Sequence, residues 1–221
     1  MIYMTKKLNS FMLTDELITL MKDLQISSRE SGNEIGFNFC ANKTNNIIKM
    51  PECAIKGNCH SVTIPKGCPE GYQEVGDFHT HPGEYDEFGL SGSAKDFKYT
   101  CGHIADCIGM VNNVKCFVRK KSIDSYSCKK EFEEFANLVE IPLREFGQDL
   151  KDKYPEIVKL EEKFNLLSKQ KRTMEIDIEQ RQIEGKIDRY SRSVKYHDRE
   201  IDKYTSKIKE LRERYFDEVE L

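Results

Sequence analysis

The feature that most constrains the fold is a change in sequence pattern near residue 150. In residues 151–221, 35 of the 71 residues are charged, and apolar residues recur at alternating steps of three and four. This heptad spacing is typical of helices that pack along a narrow seam. We therefore predict that residues 151–221 form a helical, coiled-coil-like extension. The clearest run of seam positions comprises Ile187, Tyr190, Val194, His197, Ile201, Tyr204, Ile208, Leu211 and Tyr215.

The pattern leaves the course of this extension open. The register breaks between Ile178 and Ile187, and Gly185 lies inside the break. Such a break is compatible with a stutter in one long helix or with the corner of a helical hairpin. Polar Lys171 and His197 at seam positions favour a weak or partner-specific seam. A coiled-coil partner, a homodimer and substrate capture all fit this pattern, and a solvated charged helix is the alternative.

Residues 1–150 have a mixed α and β pattern. An apolar stripe after Thr14 predicts a helix, and EIGFNFCA, HSVTIP and QEVGDFHTH are predicted strands. A short helix is predicted from Ser93, then a β-hairpin around Asn112, and then helical sequence with Pro142 at a bend or division. This order predicts a first domain, residues 1–150, with an α/β fold in which a mixed β-sheet is flanked by helices as a sandwich.

Charge and hydropathy narrow the function classes. The chain has 35 basic and 38 acidic residues, with a formal net charge of −3, so the clustered basic excess of nucleic-acid-binding proteins is missing. No apolar run reaches the roughly 18 residues of a transmembrane helix, and the N-terminal sequence lacks a signal-peptide pattern. We expect a soluble, cytoplasmic protein with neither a nucleic-acid nor a membrane partner.

The cysteines are confined to the first part of the chain. An intracellular setting favours reduced, mostly buried thiols. Disulfides and a second metal site are the alternatives, although no C-x-x-C pair supplies the usual ligand spacing. The eight residues are Cys40, Cys53, Cys59, Cys68, Cys101, Cys107, Cys116 and Cys128.

The stretch DFHTHPGEYDEFGLSGSAKDF, residues 77–97, indicates a metal site. His79 and His81 lie two apart in a predicted strand, so both imidazoles project from one face. Asp96 on the following helix supplies a third ligand, and two histidines with one carboxylate leave the open position of a catalytic zinc. The simpler alternative is that Ser93 and Asp96 only cap a helix. Both roles are compatible, because residues that begin a helix can also face a metal.

Hydrolysis at such a site needs a base. Glu34 opens a separate predicted strand, and pairing with the histidine strand brings it beside the metal. Glu74 and Asp77 are nearby rivals, and Asp77 has the strand parity of a hydrogen-bonding partner for a ligand histidine. His103 has no partner pattern and is predicted to be structural.

The segments EIGFNF, FHTHP and SAKD, in this order, resemble the JAMM (MPN-plus) metallopeptidase family over about residues 10–130. The family motif is an upstream Glu, then H-x-H-P, a loop and S-x-x-D. The resemblance implies an MPN sandwich, of the cytidine-deaminase-like type, and a zinc isopeptidase. Its substrates are isopeptide or C-terminal peptide bonds of ubiquitin or ubiquitin-like proteins. It implies that His79, His81 and Asp96 bind one Zn²⁺ per chain.

The resemblance also implies catalytic roles for Glu34, as general base, and Ser93, as hydrogen-bond donor to the oxyanion. EIG is one residue shorter than the family's E-x-x-G, so Glu30 stays an alternative base. The acidic insert at 82–92 is longer than the usual family loop, which predicts a lid or a substrate-contacting loop. Two other functions remain open, a non-catalytic MPN-type scaffold acting through its coiled coil and a metallopeptidase with an unrelated substrate.

Overall fold

The computed structural model describes residues 5–83 and 93–221, which contain both strands and helices. The strands are β1 (Thr5–Leu8), β2 (Phe11–Thr14), β3 (Ile35–Asn42), β4 (Ile55–Lys56), β5 (Tyr72–Thr80), β6 (Ala105–Gly109), β7 (Val114–Arg119) and β8 (Phe216–Glu220). The helices are α1 (Asp15–Ser31), α2 (Ala94–Thr100), α3 (Ser125–Phe135), α4 (Ile141–Leu167) and α5 (Met174–Tyr215), and the π-helical turn Ala136–Glu140 joins α3 to α4. The predicted mixture of α and β is confirmed.

Strands β3 to β8 form one six-stranded sheet in the order β4-β3-β5-β6-β7-β8. In this sheet β5 and β6 are parallel, and the other neighbouring pairs are antiparallel. Parallel neighbours require a crossover connection, and here the crossover contains α2. The sheet is therefore mixed, as predicted, and the crossover that contains α2 begins at the end of β5 at which the two histidines lie.

The two faces of the sheet carry separate apolar clusters because side chains alternate along each strand. One cluster contains Leu17 and Met21 of α1 together with Phe78 of β5. The other contains Phe97 of α2 and Phe132 of α3, together with the C-terminal part of α5. Helices thus cover both faces, which confirms the predicted mixed sheet flanked by helices.

The strand predicted at HSVTIP is wrong. Residues 60–66 have neither helix nor strand geometry. The side-chain oxygen of Asn58 builds a turn before them by accepting hydrogen bonds from the backbone N–H groups two and three residues later, at 2.8 and 2.9 Å. Asn38 of β3 donates a side-chain hydrogen bond to the carbonyl of Pro65. Polar side chains, rather than a strand ladder, hold this segment beside the sheet.

The extension is a helical hairpin, one of the two predicted courses. Its corner lies at residues 168–173 and not at Gly185, which is inside α5. The corner sequence SKQKRT has no apolar residue, and Thr173 starts α5 by accepting a hydrogen bond from Ile176 N. Lys171 therefore lies in the corner and not on the seam. His197 does lie on the seam, where its Nε2 is 3.2 Å from the carbonyl oxygen of Leu143 in α4.

The distal part of α5 belongs to the core beside the sheet. Tyr204, Ile208 and Leu211 are each 1% exposed and lie in the cluster that contains α2 and α3. After α5, β8 pairs antiparallel with β7, although the heptad pattern gave no sign of this strand. The predicted boundary at residue 150 falls inside α4, so the two predicted parts are joined by a continuous helix and a shared core.

Disulfides replace the expected reduced thiols at six of the eight cysteines. Cys107 and Cys116 are register partners in β6 and β7 and are bonded to each other. The other bonds join Cys40 to Cys68 and Cys101 to Cys128, while Cys53 and Cys59 are free and exposed. The favoured expectation was wrong because strand register and helix packing, which spacing does not show, bring distant cysteines together.

Disulfides persist mainly in oxidising compartments. The three bonds therefore argue against the expected cytoplasmic location, which stays a prediction. No helix in the described ranges has both the length and the apolar content needed to cross a membrane.

We expect the Phe216→Ala substitution to lower the free energy of unfolding by about 3–5 kcal/mol, since it removes a buried aromatic ring. Phe216 is 3% exposed, and its ring centroid lies 6.0 Å from that of Phe97. The matched control is Leu166→Ala, at a position that is 62% exposed on the hairpin, with an expected change within about 0.5 kcal/mol. Urea denaturation measures both. Equal effects would mean that β8 does not contribute to the core.

Thiol titration of the denatured, unreduced protein should find two free thiols, and titration after reduction should find all eight. Replacement of both Cys53 and Cys59 by serine should remove the signal before reduction. Eight reactive thiols without reductant would contradict the disulfide pattern.

Candidate metal centre

The two predicted histidine ligands lie at the carboxyl end of β5, in the interior of the sheet. His79 and His81 share a face of the strand, and their ring centroids are 5.1 Å apart. The neighbouring strand β3 places Gly36 opposite His79. Because glycine has no side chain, β3 contributes no side chain beside His79 at this position. Asp77 also lies on this face because it precedes His79 by two residues. The strand therefore presents two imidazoles and a carboxylate in one row.

The third predicted ligand comes from the first turn of α2. Ser93 is the N-cap of this helix, and its Oγ accepts a hydrogen bond from Lys95 N at 3.0 Å. Asp96 follows in the first turn, and its Oδ2 lies 3.5 Å from His81 Nε2. One ligand atom from each of His79, His81 and Asp96 lies within 4.8 Å of the other two. The structure thus brings together the three residues predicted as ligands, and Ser93 caps the helix beside them.

His79 provides a test of whether a metal fits. Its Nδ1 is 3.3 Å from Asp77 Oδ1, while its Nε2 is buried and has no hydrogen-bond partner among the described residues. An unsatisfied buried polar atom costs about 1–3 kcal/mol. With Nδ1–H donating to Asp77, the lone pair of Nε2 is free to bind a metal, which removes this penalty. The donor set of two histidines and one carboxylate suits zinc.

The surroundings of His79 are strongly anionic. Burial is the largest influence on the pKa of His79 and lowers it, but the hydrogen bond to Asp77 and the charges of Asp96, Asp77 and Glu34 outweigh burial. Together they raise the pKa to about 9. In the metal-free protein the imidazole therefore carries a proton at neutral pH, and a divalent cation must displace that proton when it binds.

Glu34 lies just before β3, on the face that bears the histidines. Its backbone is held by two 2.8 Å hydrogen bonds, from Glu34 N to Asn58 O and from Gly57 N to Glu34 O. Burial raises the pKa of Glu34 to about 7, although His79 and a hydrogen bond from the Val62 backbone lower it in part. A carboxyl group with this pKa changes protonation state near neutral pH, as a general base requires.

Two of the rival bases, Glu30 and Glu74, differ from Glu34 in position or in hydrogen bonding. Glu30 is exposed on α1 and does not line the cleft that contains the histidines. Glu74 does line this cleft, but its Oε2 accepts a hydrogen bond from Gly67 N at 2.8 Å and its Oε1 is 3.8 Å from His103 Nε2. The geometry therefore places Glu34 with the three candidate ligands, while its role as base stays a prediction.

A second cluster, which sequence reasoning missed, lies behind His79. His103 Nδ1 is 2.8 Å from Oδ1 of Asp106, which is 1% exposed, and 3.9 Å from Oδ2 of Asp77. The hydrogen bond to Asp106 is the main cause of a raised pKa at His103, and burial opposes it. Burial, followed by the Asp77 charge, raises the pKa of Asp106. The sequence showed no pattern of partners for His103, although the structure gives it two neighbouring carboxylates; its structural role stays a prediction.

Close packing of β5 on the start of β6 creates this second cluster. A Cβ at Gly76 would lie 1.6 Å from the carbonyl oxygen of Ala105, so glycine is required there. The close approach allows Asp77 N to donate to Asp106 Oδ1 at 2.7 Å. The signal in the sequence is the H-x-x-D pattern at 103–106, but it has meaning only once β6 is known to lie beside β5.

The three candidate ligands, Glu34 and the cluster around His103 all line one open cleft with a volume of about 1010 Å³. Residues 59–64, which lie outside the sheet, also line it, as do Glu140 and Arg144. Pro82 and Gly83 begin the predicted insert and contribute to the lining. Residues 84–92, and with them the predicted lid, lie outside the described residues.

Comparison of the chain with protein-family models, with curated proteins and with solved structures finds no match. The site must therefore be judged from its own geometry and chemistry.

In metal-free protein we expect Glu34→Gln to stabilise the fold at pH 8 more than at pH 5. The pKa of Glu34 is raised from 4.5 to about 7 in the folded state, so ionisation costs folding free energy as the pH rises through this interval. The full shift corresponds to about 3 kcal/mol. Because Glu34 is only partly buried, solvent screening reduces the expected gain to about 1–2 kcal/mol.

Urea unfolding of both proteins at the two pH values, with a chelator present, measures this difference. The control is Glu30→Gln, which removes an exposed carboxylate and should show no such dependence on pH. A gain from Glu34→Gln that is equal at both pH values would contradict the burial of an ionisable Glu34.

Proposed function

We propose that the protein is a JAMM-type zinc metallopeptidase that hydrolyses isopeptide or C-terminal peptide bonds of a ubiquitin-like protein. The observation that carries this proposal is the convergence of His79, His81 and Asp96 in a cleft that also holds Glu34, a carboxyl group with a pKa of about 7. The mixed sheet flanked by helices supports the finer proposal of an MPN-like sandwich.

Zinc bound by these three residues would supply Lewis acidity, which polarises the scissile carbonyl and lowers the pKa of water toward ~7. Glu34 then accepts the proton of the attacking water and delivers it to the departing amine. The N–H of Val62 and the clamped backbone hold Glu34 in place for both transfers. Asp77 keeps the proton of His79 on Nδ1 and so orients the ligand nitrogen.

Ser93 has a hydroxyl group suited to the tetrahedral intermediate. Its oxygen accepts the hydrogen bond from Lys95 N, which leaves the O–H proton available as a donor. A donor fixed by a helix cap stabilises developing oxyanion charge without reorganisation. This is the role proposed for Ser93.

A macromolecular substrate suits the cleft. Its volume of about 1010 Å³ is at the upper end of the usual range for small-molecule pockets, roughly 300–1,000 Å³, and the cleft is open to solvent. An extended peptide tail fits such a groove. The choice of a ubiquitin-like protein rests on the sequence resemblance, and the cytoplasmic location is proposed with it.

A scaffold role is the second candidate function. Leu166, Met174 and Ile178, near the corner of the helical hairpin, are 62%, 78% and 48% exposed. Exposed apolar side chains at one end of a hairpin favour contact with a partner helix or a second copy of the chain. In that function the protein acts through its hairpin and does not need the base.

Purified protein should contain about one zinc per chain and should cleave members of a panel of ubiquitin-like fusions. Glu34→Gln should keep the metal and lose at least about 100-fold in kcat, since proton transfer is removed. His79→Ala should lose the metal and the activity together. Metal analysis and a gel-based cleavage assay measure these outcomes.

Glu30→Gln is the matched control and should keep full activity. Stoichiometric zinc after loss of both His79 and His81 would refute the site. Full zinc occupancy without cleavage of any fusion would favour the scaffold.

A further inference from the structure

We infer that the helical hairpin sets the geometry of the metal centre through Glu140, a positioning residue that links Tyr204 of α5 to the first turn of α2. The inference concerns the metal centre on which the proposed function rests, but it can be tested by metal binding without any substrate.

Glu140 is a buried carboxylate whose two oxygens both have partners. It is 5% exposed and is the final residue of the π-helical turn between α3 and α4. Its Oε2 accepts hydrogen bonds from Ala94 N at 2.7 Å and from Tyr204 Oη at 3.0 Å. Its Oε1 accepts one from Arg144 Nε at 3.1 Å. A buried charge is tolerated when it is hydrogen-bonded and paired in this way.

The contact with Ala94 controls the part of α2 that bears the metal ligand. The first four N–H groups of a helix have no partner within the helix. Ser93 satisfies the N–H of Lys95 and Glu140 satisfies that of Ala94. One of these two bonds comes from the helix's own N-cap and the other from the π-helical turn. Both hold the first turn of α2, which also contains Asp96. Because α2 has only seven residues, its direction depends strongly on such outside contacts.

Tyr204 connects this bond to the hairpin. It is 1% exposed, its ring stacks on Phe135 at a centroid distance of 5.3 Å, and its hydroxyl donates to Glu140. Burial raises the pKa of Tyr204, so the phenol keeps its proton and remains a donor. The backbone N–H of Ala94 also lies within hydrogen-bonding reach of the Tyr204 hydroxyl. Tyr204, Glu140 and Ala94 thus form one compact polar group inside an apolar cluster.

The π-helical turn places this group beside the cleft. Ala136, Asn137 and Glu140 all line the cleft, as does Arg144. Single π-helical turns are rare and often lie at functional sites. A displacement of α5 against α4 would shift Tyr204, and through Glu140 it would shift the turn that holds Asp96. Engagement of the hairpin by a partner is therefore expected to alter metal affinity.

Zinc affinity, measured by competition with a chromophoric chelator, tests the inference. Tyr204→Phe removes only the hydroxyl and should raise the zinc Kd by about 3–10-fold, whereas Glu140→Ala should raise it by about 10–100-fold, in the range found for residues that support metal ligands. Glu140→Gln keeps an oxygen acceptor for Ala94 N and should restore part of the affinity. Tyr190→Phe is the matched control, because Tyr190 also lies on α5 and donates to a backbone carbonyl, that of Leu150.

Cobalt substitution provides a second readout that global stability does not move. The visible bands of the Co²⁺-loaded protein should change in Tyr204→Phe and Glu140→Gln, and should be unaltered in Tyr190→Phe. Glu140→Ala is not needed for the decision if it fails to fold.

Wild-type zinc affinity and unchanged cobalt bands in both Tyr204→Phe and Glu140→Gln would overturn this inference but not the proposed function. Zinc binding that responds to these variants, in a protein that cleaves no fusion, would support the inference and contradict the proposed activity on ubiquitin-like proteins. A wild-type protein that binds no zinc would overturn both.

Discussion

The parallel pairing of β5 with β6 is the constraint on which the site depends. It forces the chain to leave the sheet after His81 and to return through α2, so a helix N-terminus lies against the end of the histidine strand. The same pairing brings Asp106 within reach of Asp77. An antiparallel hairpin at this point would place β6 beside β5 without any intervening helix, and the carboxylate of Asp96 would have no reason to face the imidazoles.

Much of the candidate site could be predicted because its signals are local. Strand parity places His79 and His81 on one face, and the S-x-x-D pattern starts α2 at Ser93 in the structure as in the sequence. Glu34 needed one further assumption, that its strand pairs with the histidine strand, and β3 does pair with β5. These predictions required only the two-residue period of side chains along a strand, the N-cap of a helix and the pairing of one neighbouring strand.

The features that escaped prediction depend on how strands that are separate in the sequence pair with one another. His103 acquires its partners only when the strand that follows it packs beside β5. Cys107 and Cys116 become bonded because β6 and β7 align them. The seam spacing ended at Tyr215 and gave no sign of β8, whose short polar sequence becomes a strand by pairing with β7. Gly185 suggested a corner, yet an exposed helix tolerates one glycine at a cost of about 1 kcal/mol.

The addition of β8 to the far edge of the sheet has a consequence for the timing of biosynthesis. The N-terminal part of a chain leaves the ribosome first, so the two histidines and Asp96 emerge well before Tyr204 and Phe216. The core around α2 lacks Phe216, whose ring lies 6.0 Å from that of Phe97, until β8 has been made. Contacts between residues so far apart in sequence form slowly. The nascent protein therefore exposes the candidate ligands before the core that packs against α2 is complete.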